Sequence, residues 1–273
     1  MKTLSSTFAI LILAATFCAA QTATPTPTLS CEKGGWRVNG LDTFCTVGEY
    51  PAVFTGALAV SSANGSVTLR GWDNPDLLVR AKIQTAAENP LAAQLLAAAI
   101  SVGVVNNAVK VSGPPNLMNQ AWSVAYEIFL PHSGDLTITI ANGSLNINDV
   151  KGHIQFTVAN GSVTLNNPAG QVEGKVANGA VTINLGGDHW DGQGMNVKTS
   201  NGSITANAPH EYSAHFDAST TLGSITTNYP VHPSTGKWGI PSMGCTLSFD
   251  AGMGGATIQL AASLGQIRIE QAQ

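Results

Sequence analysis

Residues 136–185 read LTITIANGSLNINDVKGHIQFTVANGSVTLNNPAGQVEGKVANGAVTINL, and this stretch decides the fold. Asn-Gly occurs at positions 142, 160 and 178, so successive pairs are 18 residues apart. Each pair follows an Ala and is followed by Ser or Ala and then by alternating apolar residues. Alternation with a period of two, rich in β-branched residues, is typical of strands. A fixed period of self-similarity indicates a repeat architecture.

The same corner recurs on both sides of this stretch. Gly223 and Gly265 continue the series without the Asn. We therefore predict that the corner takes a positive φ, at a position where Gly is the cheapest residue and Asn the second best. The predicted structural turn residues are Asn64, Gly65, Asn142, Gly143, Asn160, Gly161, Asn178, Gly179, Asn201 and Gly202.

Two arrangements of these strands fit the pattern. Asn-Gly between two strands is a strong hairpin signal and would produce an antiparallel meander. The constant 18-residue register instead favours a β-solenoid, or β-helix-like stack, with a second turn near Gly152 or Gly170. We favour the stack, in which the Asn amides satisfy one another. The side chains expected to point inward are Ile138, Ile154 and Val172, together with Ile140, Val158 and Val176.

One segment predicts a helix in this all-β chain. Asn89 is a suitable N-cap, Pro90 suits the first helical position, and AAQLLAAAI follows at residues 92–100. Gly103 is the expected stop. Because the segment is apolar on nearly all sides, we expect the helix to be buried or to cover the N-terminal end of the stack.

Composition limits the classes of function. Charged residues make up 10% of the 273 residues, so Thr, Ser, Asn, Gln and Gly must cover most of the surface. With a net charge of −4, the protein lacks the excess of positive charge that is typical of nucleic-acid-binding proteins.

The N-terminus has the pattern of a secretory signal. Lys2 precedes an apolar region, and Cys18-Ala19-Ala20 supplies small residues before a cleavage site after Ala20. A lipid-modified Cys18 is an alternative. The predicted organisation is a signal peptide at 1–20, a Thr/Pro linker at 21–30, a Cys-containing segment at 31–56 and the repeat domain at 57–273. We predict no integral membrane segment in the mature chain, because residues 91–105 are too short and contain Gln94.

Three cysteines remain after the signal. In an oxidising compartment Cys31 and Cys45 are the natural disulfide pair, because they close a short loop. Cys245 is then left over, and the sequence also permits the other pairings.

The sequence contains few candidates for chemistry. Asp188, His189 and Asp191 lie in a Gly-flanked loop and are weak candidates for a divalent metal site. Asp73 and Asp76 surround a turn and do not form a recognisable acid–base pair. Four of the Asn-Gly corners read Asn-Gly-Ser, which also matches the glycosylation acceptor. We predict no catalytic residue, no metal and no cofactor.

Several motifs in order resemble a known family. They are SANGSVTLRGWDNPDLLVRAKI (62–83), the Ala-rich helix, VAYEIFLP (124–131), the Asn-Gly-Ser repeats and GGATIQLAASLGQIRIE (254–270). Together they look like the bacterial putative-adhesin family of β-strand-repeat proteins, over residues 57 to 273. The resemblance implies a β-helix-like fold and a location in the periplasm, on the cell surface or outside the cell. It supplies no catalytic residues, and the Cys31/Cys45 segment departs from the usual pattern.

Three classes of function follow as hypotheses. We favour an exported, non-enzymatic envelope or secreted protein that adheres to, binds or scaffolds a glycan or another envelope component. A polysaccharide-acting β-helix enzyme is the alternative, and it needs carboxylates or basic residues clustered over a groove. A self-associating structural protein would use an uncovered end of the stack as a strand edge.

Overall fold

The computed structural model describes residues 29–31, 38, 40–231, 234–235 and 244–272. The predicted signal peptide, Cys18 and most of the Thr/Pro linker lie outside the described residues. The described residues form one helix and two mixed β-sheets. In chain order the elements are β1 (Asp42–Ala52), β2 (Ala57–Asn64), β3 (Val67–Trp72), β4 (Leu77–Ala87), α1 (Pro90–Ala98), β5 (Ser101–Val105), β6 (Ala108–Ser112), β7 (Gln120–Pro131), β8 (Asp135–Asn142), β9 (Leu145–Asn148), β10 (Lys151–Asn160), β11 (Val163–Asn166), β12 (Ala169–Asn178), β13 (Val181–Asn184), β14 (Gly194–Asn201), β15 (Ile204–Ala208), β16 (Ala214–Leu222), β17 (Ile225–Thr227), β18 (Ser234–Thr235), β19 (Cys245–Ala251), β20 (Thr257–Leu264) and β21 (Ile267–Gln271).

From β7 to β17 the strands alternate between the two sheets. The first sheet has the order β1-β4-β7-β3-β9-β11-β13-β15-β21-β17, and the second has the order β18-β19-β16-β20-β14-β12-β10-β8-β2-β6-β5. Each Asn-Gly corner therefore carries the chain from one sheet to the other. The hairpin alternative is wrong, because β8 and β9 flank a corner and lie in different sheets.

Consecutive repeats pair in parallel and in register. Asn160 lies opposite Asn142 on one side and Asn178 on the other, and β9, β11 and β13 pair in the same manner in the first sheet. The 18-residue spacing is therefore the step from one layer of strands to the next.

The core lies between the two sheets and is built from the alternating apolar residues. The six residues predicted to point inward are all buried. The 18-residue register places Ile154 opposite Leu136 and Val172, and Ile138 opposite Phe156. Phe156 in turn lies opposite Gly174, where an added Cβ would be 2.0 Å from the phenyl ring. The missing side chain of Gly174 makes room for this large ring.

The positive φ at each corner belongs to the glycine. Gly161 has a φ of 150°, whereas the non-glycine residues with positive φ in the described chain are Asn106, Asn107, Asp149 and Asn167. The prediction is therefore wrong for the asparagine, which ends its strand in an extended conformation. Its side chain has another role: Asn160 Nδ2 donates to Asn142 Oδ1 at 3.1 Å. The same bond repeats from Asn142 to Asn64, Asn178 to Asn160 and Asn201 to Asn178.

The helix begins as predicted but ends earlier. The Asn89 side chain accepts from the Ala92 amide at 2.9 Å, and Pro90 occupies the first turn. The helix ends at Ala98, and the predicted stop Gly103 lies inside β5. Ala93 and Leu96 are buried, and the helix packs against β1 and β4 at the N-terminal end of the first sheet. Leu91 and Leu95 are exposed, so the helix is only partly buried.

The C-terminal strands do not follow the order of the chain. β20 lies between β14 and β16, and β21 lies between β15 and β17. The last repeat in sequence is therefore inserted between earlier strands of both sheets, whereas β19 pairs with β16 in the antiparallel direction.

Candidate functional site

The predicted loop between β13 and β14 does not bring its three polar residues together. Asp188 Oδ1 lies 2.5 Å from His189 Nδ1, and Asp191 Oδ2 lies 2.6 Å from Lys151 Nζ. The hydrogen bond from His189 lowers the pKa of Asp188, and the one from Lys151 lowers the pKa of Asp191. Trp190 between them is buried and donates to the Gly170 carbonyl at 3.0 Å. The contacts of Asp191 and Trp190 thus hold the loop against β10 and β12.

Other carboxylates are equally dispersed. Asp73 lies 3.5 Å from the exposed imidazole of His132, whereas the backbone carbonyl of Asp76 accepts from Trp72 Nε1 at 2.9 Å. Within the part of the chain that the structure describes, no group of three or more His, Cys, Asp or Glu side chains is placed to hold a metal ion.

The outward side chains of the second sheet form the most site-like surface, which we call the outer face. Because side chains alternate along a strand, the residues between the core positions of β8, β10, β12, β14, β20 and β16 all point to this face. In-register pairing places them in rows across the strands. One row contains Thr139, Thr157, Lys175, Lys198, Ala261 and Ser219. The next contains Thr137, Gln155, Glu173, Asn196, Gln259 and Asp217.

Three depressions lie on the outer face. The largest of them has a volume of about 520 Å³ and reaches from Thr157 across Lys175, Lys198 and Ala261 to Ser219. A second, of about 210 Å³, lies beside it and shares Thr157 and Lys175. A third, of about 240 Å³, is bounded by Glu173, Asn196 and Gln259. The sheet therefore offers a continuous, uneven surface of hydroxyl, amide and charged groups.

The outward face of the first sheet has a different chemistry. Asn166 Nδ2 donates to Asn148 Oδ1 at 2.7 Å, and the same bond joins Asn184 to Asn166 and Asn207 to Asn184. These amides are half-buried and form hydrogen bonds with one another. Their hydrogen-bonding capacity is used inside the stack rather than offered to a ligand.

One constellation on the outer face was not predicted from sequence. Ser248 Oγ lies 3.2 Å from His215 Nε2, and His215 Nδ1 lies 2.7 Å from Asp250 Oδ1. A hydroxyl, an imidazole and a carboxylate in this order can activate a serine nucleophile. The antiparallel pairing of β16 with β19 brings them together across more than 30 residues of chain. The period-two alternation in both strands is the signal that places them on one face.

A buried ionic cluster was also missed. Glu127 is fully buried on β7, with Arg70 Nε 3.4 Å from its carboxylate. Arg80 on β4 is nearly buried, donates to Glu49 at 2.7 Å and lies over the Phe129 ring. These contacts join β1, β4, β7 and β3, so we assign the cluster a structural role.

The cysteines divide into a pair and a single residue. Cys31 and Cys45 form a disulfide that ties the N-terminal segment to β1. Cys245 lies outside this disulfide, is buried at the start of β19, and its Sγ lies 3.8 Å from the Gly223 carbonyl oxygen.

Comparison with solved structures finds distant similarities. The chain is similar to a putative cell adhesion protein from Clostridium sporogenes ATCC 15579, at 12% identity over 85% of this chain and 100% of that chain, with a TM-score of 0.38. It is also similar to putative adhesins from Bacteroides fragilis NCTC 9343, at 11% identity over 83% and 97% with a TM-score of 0.31, and from Parabacteroides distasonis ATCC 8503, at 9% identity over 83% and 97% with a TM-score of 0.32. Neither a protein-family model nor a curated protein matches the sequence.

The part of the chain that the structure describes contains no helix that is long and apolar enough to cross a membrane.

Proposed function

We propose that this protein is an exported, non-enzymatic binding or scaffolding protein whose outer face holds a glycan or another envelope polymer. The observation that carries the proposal is the continuity of the three depressions on one face of the second sheet. Open, shallow surfaces lined by Thr, Gln, Lys and Glu suit an extended polar chain better than a small apolar ligand.

The scaffold behind this face is, in our proposal, a β-solenoid. Its support is the parallel, in-register pairing of β8, β10 and β12 in one sheet and of β9, β11 and β13 in the other. Each such repeat contacts only its neighbours, so every layer adds one side chain to each row of the outer face.

Export is the second part of the proposal. It is supported by the signal pattern of residues 1–20 and by the disulfide between Cys31 and Cys45. Disulfides persist mainly in oxidising compartments such as the periplasm and the extracellular space.

A binding screen tests the functional part. The purified chain from residue 31 onward would be titrated against cell-wall and polysaccharide fractions while product release is monitored in parallel. We expect saturable binding without depolymerisation. Failure to bind any of the fractions would contradict the proposal.

The Ser248–His215–Asp250 constellation favours a second candidate function, the hydrolysis of ester groups on such a polymer. Ester turnover would be compared for the wild type, Ser248→Ala and the control Ser61→Ala, since Ser61 is exposed on β2 and lines none of the three depressions. Turnover that disappears in Ser248→Ala but not in Ser61→Ala would establish this enzyme and overturn the non-enzymatic proposal. Unchanged background turnover in all three proteins would eliminate the enzyme.

A further inference from the structure

Two lysines stand side by side in the largest depression. We call this depression the lysine groove and define it by Thr157, Ala159, Lys175, Lys198, Ser219 and Ala261. Lys175 and Lys198 are directly opposed on β12 and β14, and both are exposed. Since neighbouring strands are about 4.8 Å apart, the two side chains start at that separation. Like charges placed directly opposite each other destabilise a sheet.

No carboxylate within the described residues forms an ion pair with either lysine. Glu173 lies on the same face two residues before Lys175, but its carboxylate accepts from Gln171 Nε2 at 3.0 Å. Lys151 shows the contrast, because its ammonium is held by Asp191 at 2.6 Å. The groove therefore concentrates positive charge in a protein with a net charge of −4.

We propose that the lysine groove binds the phosphate groups of a phosphodiester-linked envelope polymer. This inference rests on the proposed binding function and names the ligand class of the same face. The groove contains two lysines and no arginine within its defined residues. Lysine binds phosphate as a compact point charge, whereas the planar arginine fork binds phosphate and carboxylate alike. The lysine pair therefore provides two ammonium groups for an anionic ligand, and comparison with a carboxylate polymer distinguishes the two anions.

Hydroxyl groups complete the anion site. Thr157 and Ser219 lie at opposite sides of the lysine pair, and Ser200 borders Lys198 on the same face. A phosphate has enough oxygens to accept from both ammonium groups and a hydroxyl at once. Ala159 and Ala261 have short side chains and form the floor of the groove, whereas the longer lysine side chains form its walls.

A polymer fits better than an isolated ion because the groove continues. Thr157 and Lys175 also line the neighbouring depression toward β8. A chain can therefore lie across β8, β10, β12 and β14, with its anionic groups over the lysine pair and its neutral units over Thr139 and Gln155.

The test is a binding titration of the mature chain with poly(glycerol phosphate). The comparison ligands are polygalacturonate, neutral dextran and vesicles that contain phosphatidylglycerol. The variants are Lys175→Gln and Lys198→Gln, with Lys110→Gln on β6 as the matched control, since Lys110 is exposed and outside the groove. We expect each groove variant to weaken the Kd for poly(glycerol phosphate) about tenfold, the effect of losing one charge-assisted hydrogen bond. We also expect binding to weaken as salt is added and Lys110→Gln to bind like the wild type.

The outcomes separate this inference from the proposed function. If a glycan binds the outer face but both groove variants retain wild-type affinity for poly(glycerol phosphate), the inference fails and the binding function stands. Stronger binding to polygalacturonate or to the vesicles than to poly(glycerol phosphate) also overturns it, in favour of a carboxylate polymer or a lipid surface. If none of the polymers or vesicles binds, the proposed function fails with it.

Discussion

At each Asn-Gly corner of the repeat, the glycine adopts the positive φ and the asparagine forms a side-chain hydrogen bond. A Cβ added to Gly161 would lie 1.9 Å from the Gly143 carbonyl oxygen, because successive corners stack backbone on backbone. The asparagine beside it needs no unusual backbone conformation and contributes its amide to a chain of side-chain hydrogen bonds. Both residues were predicted as corner residues, but the sequence pattern alone cannot tell which of two adjacent residues carries the positive φ.

Replacing Gly161 with Ala tests this division. We expect the free energy of unfolding to fall by about 3 kcal/mol or more, because the methyl group clashes with backbone and the φ of 150° is strained for alanine. The matched control is Gly103→Ala, where an added Cβ meets no atom within 4 Å. Equal denaturation midpoints for the two variants would show that the corners are not closely stacked.

Tyr126 provides a prediction with a pH dependence. Its side chain is buried and its hydroxyl has no hydrogen-bond partner among the described residues. Burial, with a smaller effect from Tyr50, raises the pKa of Tyr126 to about 12. In the unfolded chain the pKa is about 10, so the native state holds this proton more tightly. Titration of this group therefore leaves the free energy of unfolding unchanged below pH 10 and lowers it as the pH rises from 10 to 12.

We therefore expect Tyr126→Phe to remove part of the alkaline loss of stability. At neutral pH the variant should be more stable by about 1 kcal/mol, since a buried hydroxyl without a partner is removed. Urea unfolding at pH 7 and at several values from pH 10 to pH 12 measures both effects. An unchanged alkaline slope would rule out this tyrosine as the titrating group.

At the scale of the strand, alternation predicted the two faces well. All six residues predicted to face the core are buried. The 18-residue spacing also predicted which residues are partners, since Ile154 lies opposite Leu136 and Val172. The pairing of Phe156 with Gly174 shows how a large and a small residue fix the register.

A single charge placed on either face of β8 tests the alternation. Ile140→Asp puts a carboxylate among buried residues and should cost more than about 4 kcal/mol, or prevent folding. Thr139→Asp, one residue earlier on the outer face, should change the free energy of unfolding by less than about 0.5 kcal/mol. Similar losses from both variants would contradict the assigned faces.

At the scale of the molecule, the order of the layers is what the sequence could not predict. The last repeat, residues 257–271, matches the others in pattern, yet it enters the stack between two earlier layers. Similar repeats have similar edges, so local pattern does not choose between neighbouring positions. The His215, Ser248 and Asp250 contacts depend on a separate long-range pairing, that of β16 with β19, which the repeat pattern does not contain, and they were therefore missed.

Truncation at residue 255 tests the inserted layer. Removing β20 and β21 takes away the partners of β14, β15, β16 and β17. We expect hydrogen exchange to become fast across residues 194–227, while residues 136–178 stay protected. Unchanged protection of residues 214–222 in the truncated chain would mean that β20 is not inserted there.

The central claim is that ligands bind on the outer face of the second sheet, and a bulky substitution on each sheet tests it most directly. Ala177→Trp fills the lysine groove, whereas Thr182→Trp places the same side chain on the outward face of the first sheet. The affinity of both variants and of the wild type would be measured for one polymer that binds the wild type, after equal thermal stability has been verified. We predict at least a tenfold loss of affinity for Ala177→Trp and wild-type affinity for Thr182→Trp. Full affinity in Ala177→Trp, or an equal loss in both variants, would contradict the assignment of the binding surface.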